Sequence, residues 1–136
     1  MVEIKLSYEG DLRVQAVHGP SGKTLVTDAP VDNHGKGESF SPTDLVATAL
    51  GSCMATLMGI VAERHHIDLK GIKINVKKHM VNEPFRRIGT LEVNFKIPNV
   101  KEEKYKTLLK NAAMTCPVHK SLHPDIKQEI TFDWIE

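Results

Sequence analysis

Two cysteines, Cys53 and Cys116, are the residues of this chain best suited to covalent chemistry, and they lie 63 positions apart. A thiolate can attack the O–O bond of a peroxide and become a sulfenic acid, which a second thiol then converts to a disulfide. That chemistry needs a lowered thiol pKa. Cys116 precedes Pro117, where a helical turn can begin, so the dipole at the start of that turn is its expected source. Cys53 falls in mid-helix, where the amides are already paired, and needs a cation instead. Arg13, Arg86 and Arg87 are the candidates, because arginine stays charged when partly buried.

Two bland readings stand beside this one. Cysteine is among the most buried residue types, and a buried thiol without activation is inert. The run Cys116-Pro117-Val118-His119, with His123 beyond it, offers ligand types that zinc accepts, but no second closely spaced pair accompanies it. A Cys–His hydrolase has less support still: His65 and His66 lie about three turns beyond Cys53 on the same helix.

The elements that must position the thiols are legible. Ser41 is an N-cap, Pro42 fits the first helical position, and Asp44 can close a capping box. Phe40 and Leu45 stand where a hydrophobic staple would. The helix then runs to Arg64. No charge falls between Asp44 and Glu63, a length near the lower limit of a membrane span. Thr48, Gly51, Ser52, Thr56 and Gly59 make it too polar for that role, and a helix apolar on all sides is otherwise a buried one. Complete burial in so small a chain suggests help from a second subunit. Asp44, Thr48, Ser52 and Thr56 form a polar stripe, and Gly51, Ala55 and Gly59 a row of small residues. Both suit packing against a partner helix or against the protein's own sheet.

Around this helix the chain reads as strands. Ile4, Leu6 and Tyr8 alternate with polar residues, Leu12, Val14 and Ala16 follow a turn at Gly10-Asp11, and Lys23 to Thr27 makes a third strand. A polar loop, 28–39, leads into the helix. Two strong strands, around Ile72–Met80 and Thr90–Ile97, form a hairpin across Asn82–Arg86. Tyr105, Leu108, Leu109, Ala112, Ala113 and Cys116 make one apolar helical stripe that Pro117 ends. Ile126, Ile130, Phe132 and Trp134 mark a last strand. The order is β-β-β-α-β-β-α-β with antiparallel pairing expected, an α+β fold.

Size and charge narrow the class. The 136 residues suit one domain, 1–136, with 40% hydrophobic and 26% charged residues as in ordinary soluble proteins. A net charge of +1 with 5% aromatics argues against a nucleic-acid partner. The N-terminus, MVEIKLSYEG, lacks the apolar block of a signal peptide, so a cytoplasmic location is the default expectation.

The run FSPTDLVATALGSCM, followed by CPVHKSL, resembles the OsmC/Ohr family of osmotically induced and organic hydroperoxide resistance proteins. TDAP near Asp28 and the element order extend the resemblance over nearly the whole chain, closest to the OsmC-like branch. It implies an intertwined homodimer whose two central helices pack back to back within sheets from both subunits. It implies cofactor-free reduction of organic hydroperoxides, with Cys53 peroxidatic, Cys116 resolving, and a small thiol or a dithiol of the lipoyl type as reductant. Members bury an arginine and a glutamate beside the first cysteine. Arg13 lies in a fitting place for that arginine. The glutamate follows the proline of the helix start in the family's peroxidases, where this chain has Thr43. Asp44 is about 100° further around the helix, and Glu38 could substitute from the preceding loop. Leu50, Met54, Leu57 and Met58 would supply an apolar lining that favours organic peroxides. The departure at Thr43 keeps an alternative open: a non-catalytic OsmC-like protein that holds a small apolar ligand, its cysteines inert or redox-sensing.

Overall fold

The computed structural model describes residues 1–135, and the chain falls into two compact units, Met1–Val46 and a second that begins at Ala47. The first is an antiparallel meander of β1 (Ile4–Gly10), β2 (Arg13–His18) and β3 (Thr24–Asp28). Asp11 and Leu12 both take left-handed φ, 54° and 62°, the geometry that a tight hairpin turn needs to match strand twist. Register follows, and it sets Arg13 directly opposite Asp28. Ile4, Leu6 and Tyr8 share a face as alternation requires, yet they are 54%, 66% and 65% exposed. The half-buried strand read from their pattern is uncovered in the single chain.

The loop after β3 folds back on its own start. A 3-10 turn at Val31–Asn33 ends on His34 in the left-handed region. Gly35 then passes so close to Ala29 that a Cβ there would lie 1.8 Å from the Ala29 carbonyl oxygen. The Asp28 N–H donates to the Phe40 carbonyl at 3.0 Å, closing the loop. The capping box forms as expected. The Asp44 N–H donates to Ser41 Oγ at 3.1 Å and the Ser41 N–H to Asp44 Oδ2 at 2.9 Å, satisfying two donors that a helix start leaves free. Phe40, the expected staple residue, remains 55% exposed.

From this cap α1 runs Pro42–Arg64. By length and composition it could cross a membrane, a test that a core helix also passes, and 33% of its most apolar window is buried. The single chain covers one face of α1, and the burial on all sides expected from sequence is tied to a second subunit. In the second unit, Gly51 presses that face against β4 (Lys73–Val81), where an added Cβ would come within 2.9 Å of Val76.

The second sheet has the order β4, β5 (Arg87–Pro98), β6 (Lys127–Ile135). The β4–β5 hairpin is antiparallel, but β6 runs parallel to β5. All-antiparallel pairing is thus corrected to a mixed sheet. The reason is the connection: α2 (Glu103–Met114) and α3 (Pro117–Ser121) make a crossover long enough to return the chain in the same direction. Leu91, Val93, Phe95 and Ile97 on the central strand are at most 1% exposed. Phe132 stacks on Phe95 at 5.2 Å, and Lys110 and Lys106 of α2 lie over the rings of Phe132 and Trp134.

Candidate functional site

A gradient of exposure around α1 places the first thiol. Ala47, Leu50, Gly51, Met54, Met58 and Ala62 form its buried face. Thr48, Ser52, Thr56 and Ile60, four apart, are exposed, and between the two runs a half-buried stripe of Ala49, Cys53, Leu57 and Val61. Cys53 therefore sits at the boundary, partly open. The polar stripe expected from sequence is the exposed one, its hydroxyls turned back on the helix: Thr56 Oγ1 donates to the Ser52 carbonyl at 2.8 Å.

The second thiol comes from the end of α2. Leu109, Ala112 and Ala113 bury that helix, and the stripe they belong to carries Cys116 into the core with no exposed surface. Pro117 then starts α3, and Cys116 becomes its N-cap, Sγ accepting the His119 N–H at 3.4 Å. The two thiols are both free, and Cys53 lies near enough to Cys116 to act on its ionisation. The expectation that the helical turn lowers the Cys116 pKa is corrected. The N–H groups of His119 and Val118 do pull it down, but burial and the Cys53 neighbour outweigh them, and the thiol is pushed above its ordinary value. Removing the thiolate's water costs more than two backbone N–H groups return.

His119 is itself held. Gln128, the second residue of β6, donates its amide to the His119 carbonyl at 3.3 Å and turns its Oε1 to ring Nδ1. The zinc reading gains nothing: among the described residues no three metal-ligating side chains converge, and His123, 67% exposed, pairs with Asp125.

The first unit assembles a separate charged trio. Arg13 Nη2 meets Glu38 Oε1 at 2.5 Å and Asp28 Oδ2 at 3.6 Å. Asp28 is 1% exposed, and its Oδ2 also accepts the Glu38 N–H at 3.0 Å. That hydrogen bond, then Arg13, the Ala29 N–H and Lys36, hold its carboxyl below the usual range against the opposing effect of burial. Two buried atoms, Arg13 Nε and Asp28 Oδ1, have no partner among the described residues. Two of the charged residues singled out by sequence, Arg13 and Glu38, thus form one ion pair, and Asp28 is the member that sequence reasoning missed. Its signal was its place opposite Arg13 in a three-strand meander. Thr43 Oγ1 lies 3.2 Å from Ser41 Oγ, inside the helix cap. Arg87, another of the candidate cations, donates to the Glu83 and Ile88 carbonyls.

The expected apolar lining divides. Leu50, Met54 and Met58 have no exposed surface, because their four-residue spacing aligns them on the core face. In the single chain these three belong to the core. Leu57, one turn beyond Cys53 on the half-buried stripe, keeps surface beside the thiol.

Residues 35–131 match the family model described as OsmC-like protein. The solved structure of a Psychrobacter arcticus 273-4 protein, named for osmotic stress induction and a detoxification response, is 45% identical, with 97% of this chain and 96% of that one covered and a TM-score of 0.91. An OsmC-like protein of Mycoplasma pneumoniae shares the fold at 15% identity, covering 100% and 98% with a TM-score of 0.83. An organic hydroperoxide resistance protein of Legionella pneumophila does so at 15% identity, covering 98% and 96% with a TM-score of 0.76. A comparison with curated proteins finds no match.

Proposed function

The chain belongs to the OsmC-like family, and from that premise we propose that it is a two-cysteine peroxidase acting on organic hydroperoxides in oxidative stress defence. The supporting observation is the pairing of two free thiols with opposite access, Cys53 half-open and Cys116 buried. The open thiol attacks. The Cys53 thiolate sulfur bonds to the distal peroxide oxygen, the O–O bond breaks, and the alkoxide leaves and takes up a proton as alcohol. Cys116 sulfur then attacks the Cys53 sulfenic acid, the S–O bond breaks, and hydroxide departs with the Cys116 proton as water. An external thiol or dithiol reduces the disulfide by exchange. No cofactor enters these steps.

Cys116 suits the resolving role because a thiol with a raised pKa stays protonated, and so unreactive toward peroxide, until the sulfenic acid forms beside it. Arg13 is proposed as the family's arginine, and Glu38, its ion-pair partner within the first unit, as the carboxylate replacing the family glutamate at Thr43. The same reading takes the protein as a cytoplasmic homodimer. A second copy would cover the exposed apolar face of β1 and the open side of α1, since such a patch is costly in water.

One equivalent of an organic hydroperoxide added to the reduced protein tests the chemistry. Both thiols should disappear with a loss of about two mass units, blocked in Cys53→Ser and halted at sulfenic acid in Cys116→Ser. If both thiols survive and the peroxide stays unreduced, the protein is a binding protein of the same fold. Faster turnover of cumene hydroperoxide than of hydrogen peroxide is expected from the apolar surface at Leu57, and equal rates would remove that preference.

A further inference from the structure

The turn that follows the resolving thiol has little of its own to hold it. α3 is five residues long and buries none of them, and a helix that short does not persist by its own hydrogen bonds. Its backbone ties are local, from the Lys120 N–H to the Cys116 carbonyl at 3.1 Å and from the Cys116 N–H to Ala113 at 3.2 Å. Among the described residues, the side-chain hydrogen bonds that leave α3 for another element run to Gln128.

Gln128 is well anchored for that task. It pairs in register with Leu91 on the central strand, a residue with no exposed surface. It lies on the same face of β6 as Ile130, Phe132 and Trp134, the face whose rings carry the lysines of α2. Its amide is used at both ends. Because the NH2 group donates to the His119 carbonyl, the oxygen faces the ring, and Nδ1 must be the protonated nitrogen. One side chain thereby fixes the backbone and the ring of the same histidine. The N–H of that histidine is the group aimed at Cys116 Sγ.

We propose that Gln128 is a positioning residue for the resolving step, clamping His119 so that Cys116 Sγ stays within reach of the oxidised Cys53. The inference rests on the two-thiol reading above. The step it serves is attack of Cys116 sulfur on the Cys53 sulfenic sulfur, with the S–O bond breaking and water leaving. Loss of the clamp leaves the first oxidation untouched, because Cys53 stands on a different helix. It lengthens the life of the sulfenic acid, and a second peroxide then drives the acid to sulfinate.

The test is a single-turnover experiment on full-length protein, with quenched samples weighed intact. In Gln128→Leu, oxidation of Cys53 should keep its rate while disulfide formation slows about tenfold, as loss of orientation at a reacting pair predicts. Sulfenic and then sulfinic masses should accumulate under excess peroxide. Gln128→Glu keeps the acceptor for ring Nδ1 but not the donor to the carbonyl, and should fall between the two. Equal disulfide rates in wild type and both variants overturn the proposal. So does an equal slowing of both steps with a lowered melting temperature, which marks a merely structural role. If the wild type forms no disulfide, the two-thiol reading fails before any variant is compared, and this inference falls with it.

Discussion

The two three-stranded sheets solve the burial problem in opposite ways. The second sheet hides Leu91, Val93, Phe95 and Ile97 almost completely, while the first leaves Ile4, Leu6 and Tyr8 more than half exposed. Both patterns obey strand alternation, so the difference is one of cover. A sheet with helices from its own unit makes a core, whereas a lone meander makes a surface. The electrostatics divide in the same sense. The thiol pair lies among buried residues that raise the Cys116 pKa, whereas the Arg13–Glu38 pair is 36% and 59% exposed, and screening leaves such a pair little stabilising force.

Substitutions in the two sheets should separate sharply. Phe95→Ala removes a fully buried ring stacked on Phe132 and should lower unfolding stability by about 3–5 kcal/mol in urea titration. A loss under about 1 kcal/mol would mean that the second sheet is not the core described. In the first unit, Gly35→Ala sets a Cβ against the Ala29 carbonyl and should cost about 1–3 kcal/mol through forced backbone movement. The role proposed for Glu38, on the same loop, predicts a fall in the rate of Cys53 oxidation as well. An unchanged rate would detach the loop from the chemistry.

Smaller effects sharpen the contrast. Ser41→Ala deletes one half of the capping box and should cost about 1 kcal/mol, readable as a shift in the denaturation midpoint. Leu6→Ser in the exposed face should change the stability of an isolated chain by less than about 0.5 kcal/mol. If a second copy covers that face, Leu6→Glu should instead halve the mass seen in sedimentation, and an unaltered mass would leave β1 outside the interface. The slightest effect is the acid limb of Asp28. Its folded pKa is depressed, so its contribution is present above the unfolded value of about 3.9 and lost as pH falls through the folded one. The stability gap between wild type and Asp28→Asn should therefore narrow below about pH 4. A gap that stays constant to lower pH would show that the carboxylate charge is not what the trio uses.

Cys116 has the opposite sign. Its raised pKa favours the folded protein up to the ordinary thiol range, and that contribution is lost as pH rises through the folded value.

Much of this was legible in the chain because it is local. The cap at Ser41 and Asp44 depends on residues three apart, and the stripe from Tyr105 to Cys116 on helical period. The antiparallel meander needed only alternation and two turns. Composition and motif also carried the family and the two thiols. What the sequence could not carry was anything decided by residues far apart. The parallel return of β6 depends on how a crossover packs. The raised pKa of Cys116 depends on what surrounds the end of α2, and the burial of Leu50, Met54 and Met58 on which face of α1 is covered. Gln128 gripping His119 and Asp28 joining Arg13 to Glu38 are meetings of strand with turn and strand with loop. Local rules fix which side of an element a residue occupies, but only the tertiary structure decides what it meets there, because desolvation and hydrogen bonding are set by neighbours and not by order along the chain.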